Sequence, residues 1–368
     1  MKIAVHASHL CQEREDGNQT YIINLFENIA KIDSRNQYDF YYSKDSNKKI
    51  QAPNFNHIIH EKPFAWTQRV FPMLLRRDKP DLLFMPIQML PFLKDKKQKS
   101  VVTIHDLAFL YYPETFPLKD RLLHKIYVRE AIYKSDHLIA ITEATKSDIL
   151  KEYNVPESKI SVIYHGIDNK KFRLMRDEDK PLVKKVLNKY KIKKPYIIYV
   201  GNVQPRKNVQ NLIKAFILLK KEYKDLQLVI AGAKAWLVDD VMNEVKDFMN
   251  EDIIFTGRFD NEELVPLLWG AKLFVLPSLY EGFGLPILEA GACGIPVLVS
   301  DTPSLLEVIG DENLTFDPID PKDIKEKILE VLENKDLYDK IKEYCYLRSQ
   351  EFSWEKTANE TLRILESI

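Results

Sequence analysis

Two carboxylates eight positions apart, Glu281 and Glu289, bracket Gly282, Gly284 and Pro286. The segment runs Ser278-Leu279-Tyr280-Glu281-Gly282-Phe283-Gly284-Leu285-Pro286-Ile287-Leu288-Glu289-Ala290 and follows a β-type run at 273–276. A strand, a glycine turn and a proline suited to the first helical turn describe a helix N-terminus placed beyond a strand end. Unpaired N–H groups and the helix dipole favour an anion there, and glycines let the backbone approach diphosphate oxygens closely. A carboxylate on the helix can accept two hydrogen bonds from a ribose diol. Other readings compete. A capping box would explain Glu289, but it needs Ser or Thr where Pro286 stands. Glu281 reads equally well as a solvated loop residue. A dinucleotide fingerprint fails because Ile287 occupies the third glycine position.

Such residues need a scaffold that delivers strand ends to one place. Short β-branched or aromatic runs lie at 3–6, 38–42, 57–60, 82–85, 101–105, 138–142 and 160–163. A second set lies at 196–200, 226–231, 253–256, 273–276, 297–300 and 314–316. Amphipathic stretches separate them; Val209, Leu212, Ile213, Phe216 and Leu219 mark one helical face. Alternating strand and helix predicts parallel sheets covered on both sides, with ligands beyond the carboxyl ends of the strands. The rhythm breaks in the lysine-rich stretch 169–194, whose helix candidate spans 182–190. At 368 residues, two doubly wound α/β domains facing a central cleft are expected.

Hydrophobic residues at 45% and charged residues at 29% suit a soluble protein with a real core. Lys+Arg and Asp+Glu both count 54, so no net charge draws the chain to nucleic acid. Cys11, Cys293 and Cys345 are far apart and lack metal-ligand spacing, which fits a reducing compartment. The opening Met1-Lys2-Ile3-Ala4-Val5-His6 reads as a buried strand rather than a signal peptide. No apolar run reaches transmembrane length, so a cytoplasmic location is expected.

The segment around Glu281 and Glu289 resembles the Glu-x7-Glu motif of retaining glycosyltransferases of family 4. The likeness continues through Gly294-Ile295-Pro296-Val297, Glu307-Val308-Ile309-Gly310 and Val200-Gly201-Asn202-Val203-Gln204-Pro205-Arg206-Lys207-Asn208. It also takes in Thr103-Ile104-His105-Asp106 and Phe352-Ser353-Trp354-Glu355. The resemblance implies the GT-B fold: a Rossmann-like acceptor-binding domain over 1–172 and a Rossmann-like nucleotide-sugar-binding domain over 173–352. A C-terminal helix, 353–368, would return to pack on the first domain.

By that resemblance Glu289 binds the ribose hydroxyls and Glu281 contacts the transferred sugar. Backbone amides of Phe283, Gly284 and Leu285 hold the diphosphate and sugar hydroxyls. Arg206 and Lys207 stabilise the charge that builds on the departing phosphate; the plain alternative is an exposed basic pair. Many members carry Arg where this chain has Asn202. His105 resembles the cleft histidine that contacts the donor sugar, against the plainer reading of a packed strand residue. Gly17, in Asp16-Gly17-Asn18-Gln19-Thr20-Tyr21, matches the family's glycine loop in part, with Gln19 replacing a glycine. The alternative is a turn ahead of a helix at 21–30. Asp177-Glu178-Asp179 is read as a solvated charge run rather than a metal site, so neither metal nor cofactor is expected.

The implied reaction is retaining transfer of a hexose from a nucleotide sugar to a saccharide or lipid-linked acceptor. The quoted segments look most like mannosyltransferases using GDP-mannose, with a UDP-sugar as the alternative donor. A sugar-nucleotide epimerase and a non-catalytic nucleotide-sugar-binding protein are the rivals. A further expected partner is an anionic membrane surface, met by stretches 64–77 (Trp66, Arg69, Phe71, Leu74, Leu75, Arg76, Arg77) and 119–133 (Arg121, Leu122, Lys125, Ile126, Arg129). Against it, a helix covering a sheet needs its apolar stripe for the core.

Overall fold

The computed structural model describes residues 1–13, 16–61, 65–233 and 251–368. The chain divides into two units, Met1–Gly166 with Ser353–Ile368, and Ile167–Phe352. In the first lie β1 (Lys2–His6), β2 (Gln37–Tyr42), β3 (Phe55–Ile59), β4 (Leu82–Met85), β5 (Lys99–Ile104), β6 (His137–Ala140) and β7 (Ile160–Val162). They form a parallel sheet in the order β3-β2-β1-β4-β5-β6-β7. Because β1 pairs with β2 on one side and β4 on the other, the strand order reverses there and a crevice opens beyond its carboxyl end.

The second unit repeats the plan with β8 (Tyr196–Val200), β9 (Gln227–Ala231), β10 (Ile253–Gly257), β11 (Leu273–Leu276), β12 (Val297–Ser300) and β13 (Thr315–Phe316). Their parallel order is β10-β9-β8-β11-β12-β13, reversing at β8. All thirteen expected strands are present, with ends displaced by at most two residues. The chain thus has two Rossmann-like parallel-sheet domains. Strand β8 is buried along its whole length, as a parallel strand covered on both faces must be.

Helices α1 (Gly17–Ile32), α2 (Trp66–Asp78), α3 (Ala108–Tyr111), α4 (Leu118–Lys134) and α5 (Glu143–Glu152) belong to the first unit. The second carries α6 (Lys180–Lys189), α7 (Val209–Leu219), α8 (Asn261–Trp269), α9 (Leu285–Ala292), α10 (Pro303–Ile309), α11 (Pro321–Glu333) and α12 (Lys335–Gln350). The face read from Val209, Leu212, Ile213, Phe216 and Leu219 is the buried face of α7. Among the described residues no helix is long and apolar enough to cross a membrane.

Three sequence expectations need correction. The division falls after Gly166, not after Phe172, because residues just beyond it are tied to the second unit. There Gln350 Nε2 donates to Asn169 Oδ1 at 3.4 Å, and the charge of Lys171 acts on Glu289. Helix α1 begins at Gly17, earlier than expected, because Asp16 caps it by accepting from Gln19 N. In stretch 64–77, Trp66, Phe71, Leu74 and Leu75 lie in the core with Leu83, Met85 and Val102, so α2 presents no apolar stripe to solvent. Phe64 lies outside the described residues. Helix α4 differs, with Leu118, Leu122 and Ile126 exposed by 68%, 51% and 51%.

The last helix, α13 (Trp354–Ser367), packs on α1 in the first unit. Glu366 accepts from Arg35 and Asn36, and Thr357 donates to Tyr164 O. The outgoing and returning passes of the chain meet backbone to backbone: a Cβ on Gly166 would lie 2.0 Å from Trp354 N. Gly166→Ala is therefore expected to cost about 1–3 kcal/mol through overpacking. Thermal denaturation of the full chain checks this, and an unchanged Tm would show that the crossing yields freely.

Candidate active site

The site in the second unit begins where β8 and β9 end. Gly232 has φ 157°, and a Cβ there would lie 1.9 Å from Gly201 O. Glycine is what lets the two strand-end loops touch. Beyond them the turn Pro205–Lys207 carries Arg206 and Lys207. Asn208 leaves this turn in a left-handed conformation and donates through Nδ2 to Pro277 O at 3.0 Å and Pro318 O at 2.6 Å. Leu279 N donates to Arg206 O at 2.9 Å. The basic turn is thereby locked to the loop after β11.

That loop places Glu281 between both cations. Lys207 Nζ contacts Glu281 Oε1, and Arg206 donates to Tyr280 O at 2.9 Å and reaches Glu281 Oε2 at 3.4 Å. Ser278 Oγ donates to Glu281 Oε1 at 2.7 Å, while Ser304 Oγ donates to Glu281 O at 2.6 Å. Burial alone would raise the Glu281 pKa, but Lys207 and Arg206 outweigh it and hold the carboxyl below its usual range. Two cations against one carboxylate leave a positive excess, so the cluster suits an anion. Glu281 is buried, which removes the reading of a solvated loop residue.

Phe283 is buried against Phe352, their ring centroids 5.9 Å apart. Gly284 caps α9 at φ 89°, where a Cβ would lie 2.8 Å from Leu305 Cδ2. Leu285 opens the helix, Pro286 has no N–H to offer, and Ile287 N donates to Gly284 O at 2.9 Å. The head of this helix is the kind of place where backbone N–H groups collect phosphate oxygens. Glu289 lies one turn further on, and its carboxyl has neither hydrogen-bond nor ion-pair partner among the described residues. Desolvation raises its pKa to about 7, opposed by the more distant charge of Lys171. The residue keeps some exposed surface, so a diol donating two hydrogen bonds would supply what the protein does not.

Gly17 and His105 belong to the first unit. His105 lies just past the end of β5, not within it, and is buried. Its Nε2 is 2.8 Å from Pro86 O, which assigns the proton to Nε2 and leaves Nδ1 as acceptor. Its backbone N donates to Gln88 Oε1 at 3.1 Å. Burial lowers its pKa, keeping the ring neutral at pH 7 despite the charge of Asp106. Gly17 is the first residue of α1, and a Cβ there would meet nothing within 4 Å. Packing does not require a glycine at that position.

Gln19, standing where a glycine is usual, donates through Nε2 to His9 O and Gln12 O, both at 2.9 Å. It braces the loop that a glycine would leave open. In the Asp177-Glu178-Asp179 run, Asp179 is clamped by Arg173 at 2.7 Å and Asp177 pairs with Lys180. Sequence reading left Ser278, Ser304, Gln88 and Lys171 without roles. Ser278 carried a signal, its place directly after a strand end. The others are distant in sequence from what they serve.

The profile described as Glycosyl transferases group 1 matches residues 180–348, and that described as Glycosyltransferase Family 4 matches residues 18–171. O-antigen chain mannosyltransferase B of Escherichia coli is 31% identical over 83% of this chain and 77% of its own length. The chain belongs to glycosyltransferase family 4. The serotype-specific mannosyltransferase WbdA of Escherichia coli is 29% identical over 73% of this chain, which spans 34% of that longer protein. Two solved structures share the fold across the chain. Anabaena Alr3699/HepE in complex with UDP and glucose has a TM-score of 0.77 at 17% identity, covering 100% of both chains. WaaG, a glycosyltransferase involved in lipopolysaccharide biosynthesis, has a TM-score of 0.76 at 17% identity, covering 99% of each. The fold of this glycosyltransferase is therefore GT-B.

The raised pKa of Glu289 sets a signed prediction. Between pH 4.5 and about 7 the folded enzyme binds more protons at this group than the unfolded chain, so its contribution to stability falls as pH rises. Glu289→Gln should raise the Tm at pH 8, show little difference at pH 4.5, and weaken nucleotide binding by calorimetry. A lower Tm at pH 8 would mean that the carboxylate is stabilised rather than strained.

Proposed function

We propose that this glycosyltransferase moves mannose from GDP-mannose to a saccharide or lipid-linked acceptor, with retention of anomeric configuration and without metal or cofactor. The supporting observation is the Arg206–Lys207–Glu281 cluster locked beside the head of α9. Preorganised cations act most strongly on charge that develops as a bond breaks. The acceptor oxygen bonds to the anomeric carbon as the bond to the diphosphate oxygen breaks on the same face. The leaving diphosphate takes the acceptor proton, and Arg206 and Lys207 stabilise its charge. Glu281 and His105 Nδ1 accept from sugar hydroxyls, Glu289 accepts from the ribose, and Gly17 leaves room for the donor phosphates. The mannosyltransferase relatives support mannose as the sugar.

The test is incubation of the full chain with labelled GDP-mannose, UDP-glucose and UDP-N-acetylglucosamine, with and without EDTA. Transfer or slow hydrolysis of GDP-mannose is expected in both conditions, with an α-linked product by NMR. Preference for a UDP-sugar would overturn the donor. Isomerised donor would mean an epimerase, and binding alone a non-catalytic protein. Activity lost to EDTA and restored by Mg2+ would overturn metal independence.

A peripheral contact with an anionic membrane is supported by α4 alone, where exposed Leu118, Leu122 and Ile126 stand among Lys119, Arg121, Lys125 and Arg129. The enzyme should sediment with anionic vesicles at low salt and be released at high salt. Leu122→Ser with Ile126→Ser should abolish sedimentation. Equal recovery with neutral vesicles at every salt concentration would remove the membrane from the reaction.

A further inference from the structure

His105 sits within a cluster of aromatic rings in the first unit. Its ring meets Tyr21 edge to face, with centroids 5.1 Å apart at 81°, and lies 5.8 Å from the ring of His165. Tyr21 and His165 are themselves stacked, at 4.9 Å and 25°. Trp354 backs both, 5.5 Å from His165 and 6.2 Å from Tyr21. All four side chains are buried, and all belong to the same unit. They come from separate places along the chain: α1, the segments just past β5 and β7, and the first residue of α13.

Each supporting ring is held by its surroundings. Tyr21 Oη shares a hydrogen bond with Thr103 Oγ1 at 3.1 Å, and Thr103 lies on β5 two positions before His105. The backbone of Gly166 lies against Trp354 N with no room for a Cβ, so the preceding His165 meets the indole in one register. Thr357 Oγ1 donates to Tyr164 O at 2.7 Å, and Ser353 Oγ caps α13 by accepting from Lys356 N at 3.1 Å.

Leucines would fill such a space with comparable apolar area. What planar rings add is angle, since aromatic pairs hold preferred tilts that aliphatic contacts lack. The Nε2 bond to Pro86 O fixes one atom of the His105 ring, yet the ring could still tilt and carry Nδ1 with it. The rings of Tyr21 and His165 oppose that tilt. Burial holds His165 neutral, so it meets its neighbours as a flat ring rather than as a charge. We infer that Tyr21, His165 and Trp354 are positioning residues for sugar transfer: through this stack the C-terminal helix sets the angle at which His105 Nδ1 is presented. The inference rests on His105 contacting the transferred sugar, as proposed above.

Kinetics of the full chain with GDP-mannose compare Trp354→Leu with Trp354→Phe. The leucine variant should lose about tenfold in kcat with KM for the donor within about twofold, and phenylalanine should recover about half of the rate. In a His105→Asn background Trp354→Leu should change kcat less than about twofold, because the residue it positions is gone. Where Trp354→Leu lacks the parent's circular dichroism spectrum, His165→Leu against His165→Phe supplies the same comparison. NMR of the ligand-free chain, 13C-labelled at histidine, reads the stack without turnover. The His105 Cδ2 shift, assigned by its loss in His105→Asn, reports which ring nitrogen carries the proton. It should show Nε2–H in the parent and in Trp354→Phe, and a mixture of tautomers in Trp354→Leu. An unmoved shift and unchanged kcat in Trp354→Leu would overturn the inference, as would an undiminished loss in the His105→Asn background. A parent inactive on GDP-mannose would overturn the donor reading instead, and the Cδ2 shift would still decide the stack. His105→Asn as active as the parent would remove His105 from the reaction and the inference with it.

Discussion

A buried carboxylate that must stay ionised organises the second unit. Taking Glu281 out of water is costly unless cations and donors surround it, and Lys207, Arg206 and Ser278 do so. Those contacts draw the turn after β8 against the loop after β11, and Arg206 reinforces the join through Tyr280 O. With the loop fixed, Gly284 starts α9 at one angle and Glu289 follows on the helix. One neutralised charge thus sets the positions of the cations, the helix head and the second carboxylate.

The two carboxylates are held in opposite ways. Glu281 is satisfied by the protein, whereas Glu289 is left with a raised pKa and, among the described residues, no close partner. Unsatisfied groups of this kind weaken the free protein and are retained where a ligand completes them. His105 follows a related logic, since Pro86 and Gln88 consume its donors and leave an acceptor nitrogen.

The two sheets share one architectural device, a reversal of strand order that opens a crevice at the first strand of each unit. What differs is the charge placed there. Beyond β8 stand two cations and a carboxylate. Beyond β1 stand His6, Ser8, His9 and Gln12, with His9 Nε2 in hydrogen-bond contact with Asp16. The same fold therefore carries a basic pair at the crevice of one unit and, among the lining residues described, no such pair at the crevice of the other.

The strands were legible from sequence because a parallel strand covered on both faces is a continuous apolar run, as in Tyr196-Ile197-Ile198-Tyr199-Val200. The Glu281–Glu289 segment was legible because glycine and proline punctuate a strand-to-helix turn at fixed offsets. The domain boundary was not, since 167–172 is tied to the second unit through Gln350 and Glu289, more than a hundred residues away. Nor was the fate of the apolar stripes in 64–77 and 119–133: periodicity shows that a stripe exists, and only packing shows that α2 buries its own while α4 leaves apolar residues exposed. Residue types and local spacing determined the fold class and the segment that carries the chemistry. Tertiary structure alone decided which charges meet, because Arg206 and Glu281 are 75 positions apart and a chain pattern carries no distance at that separation.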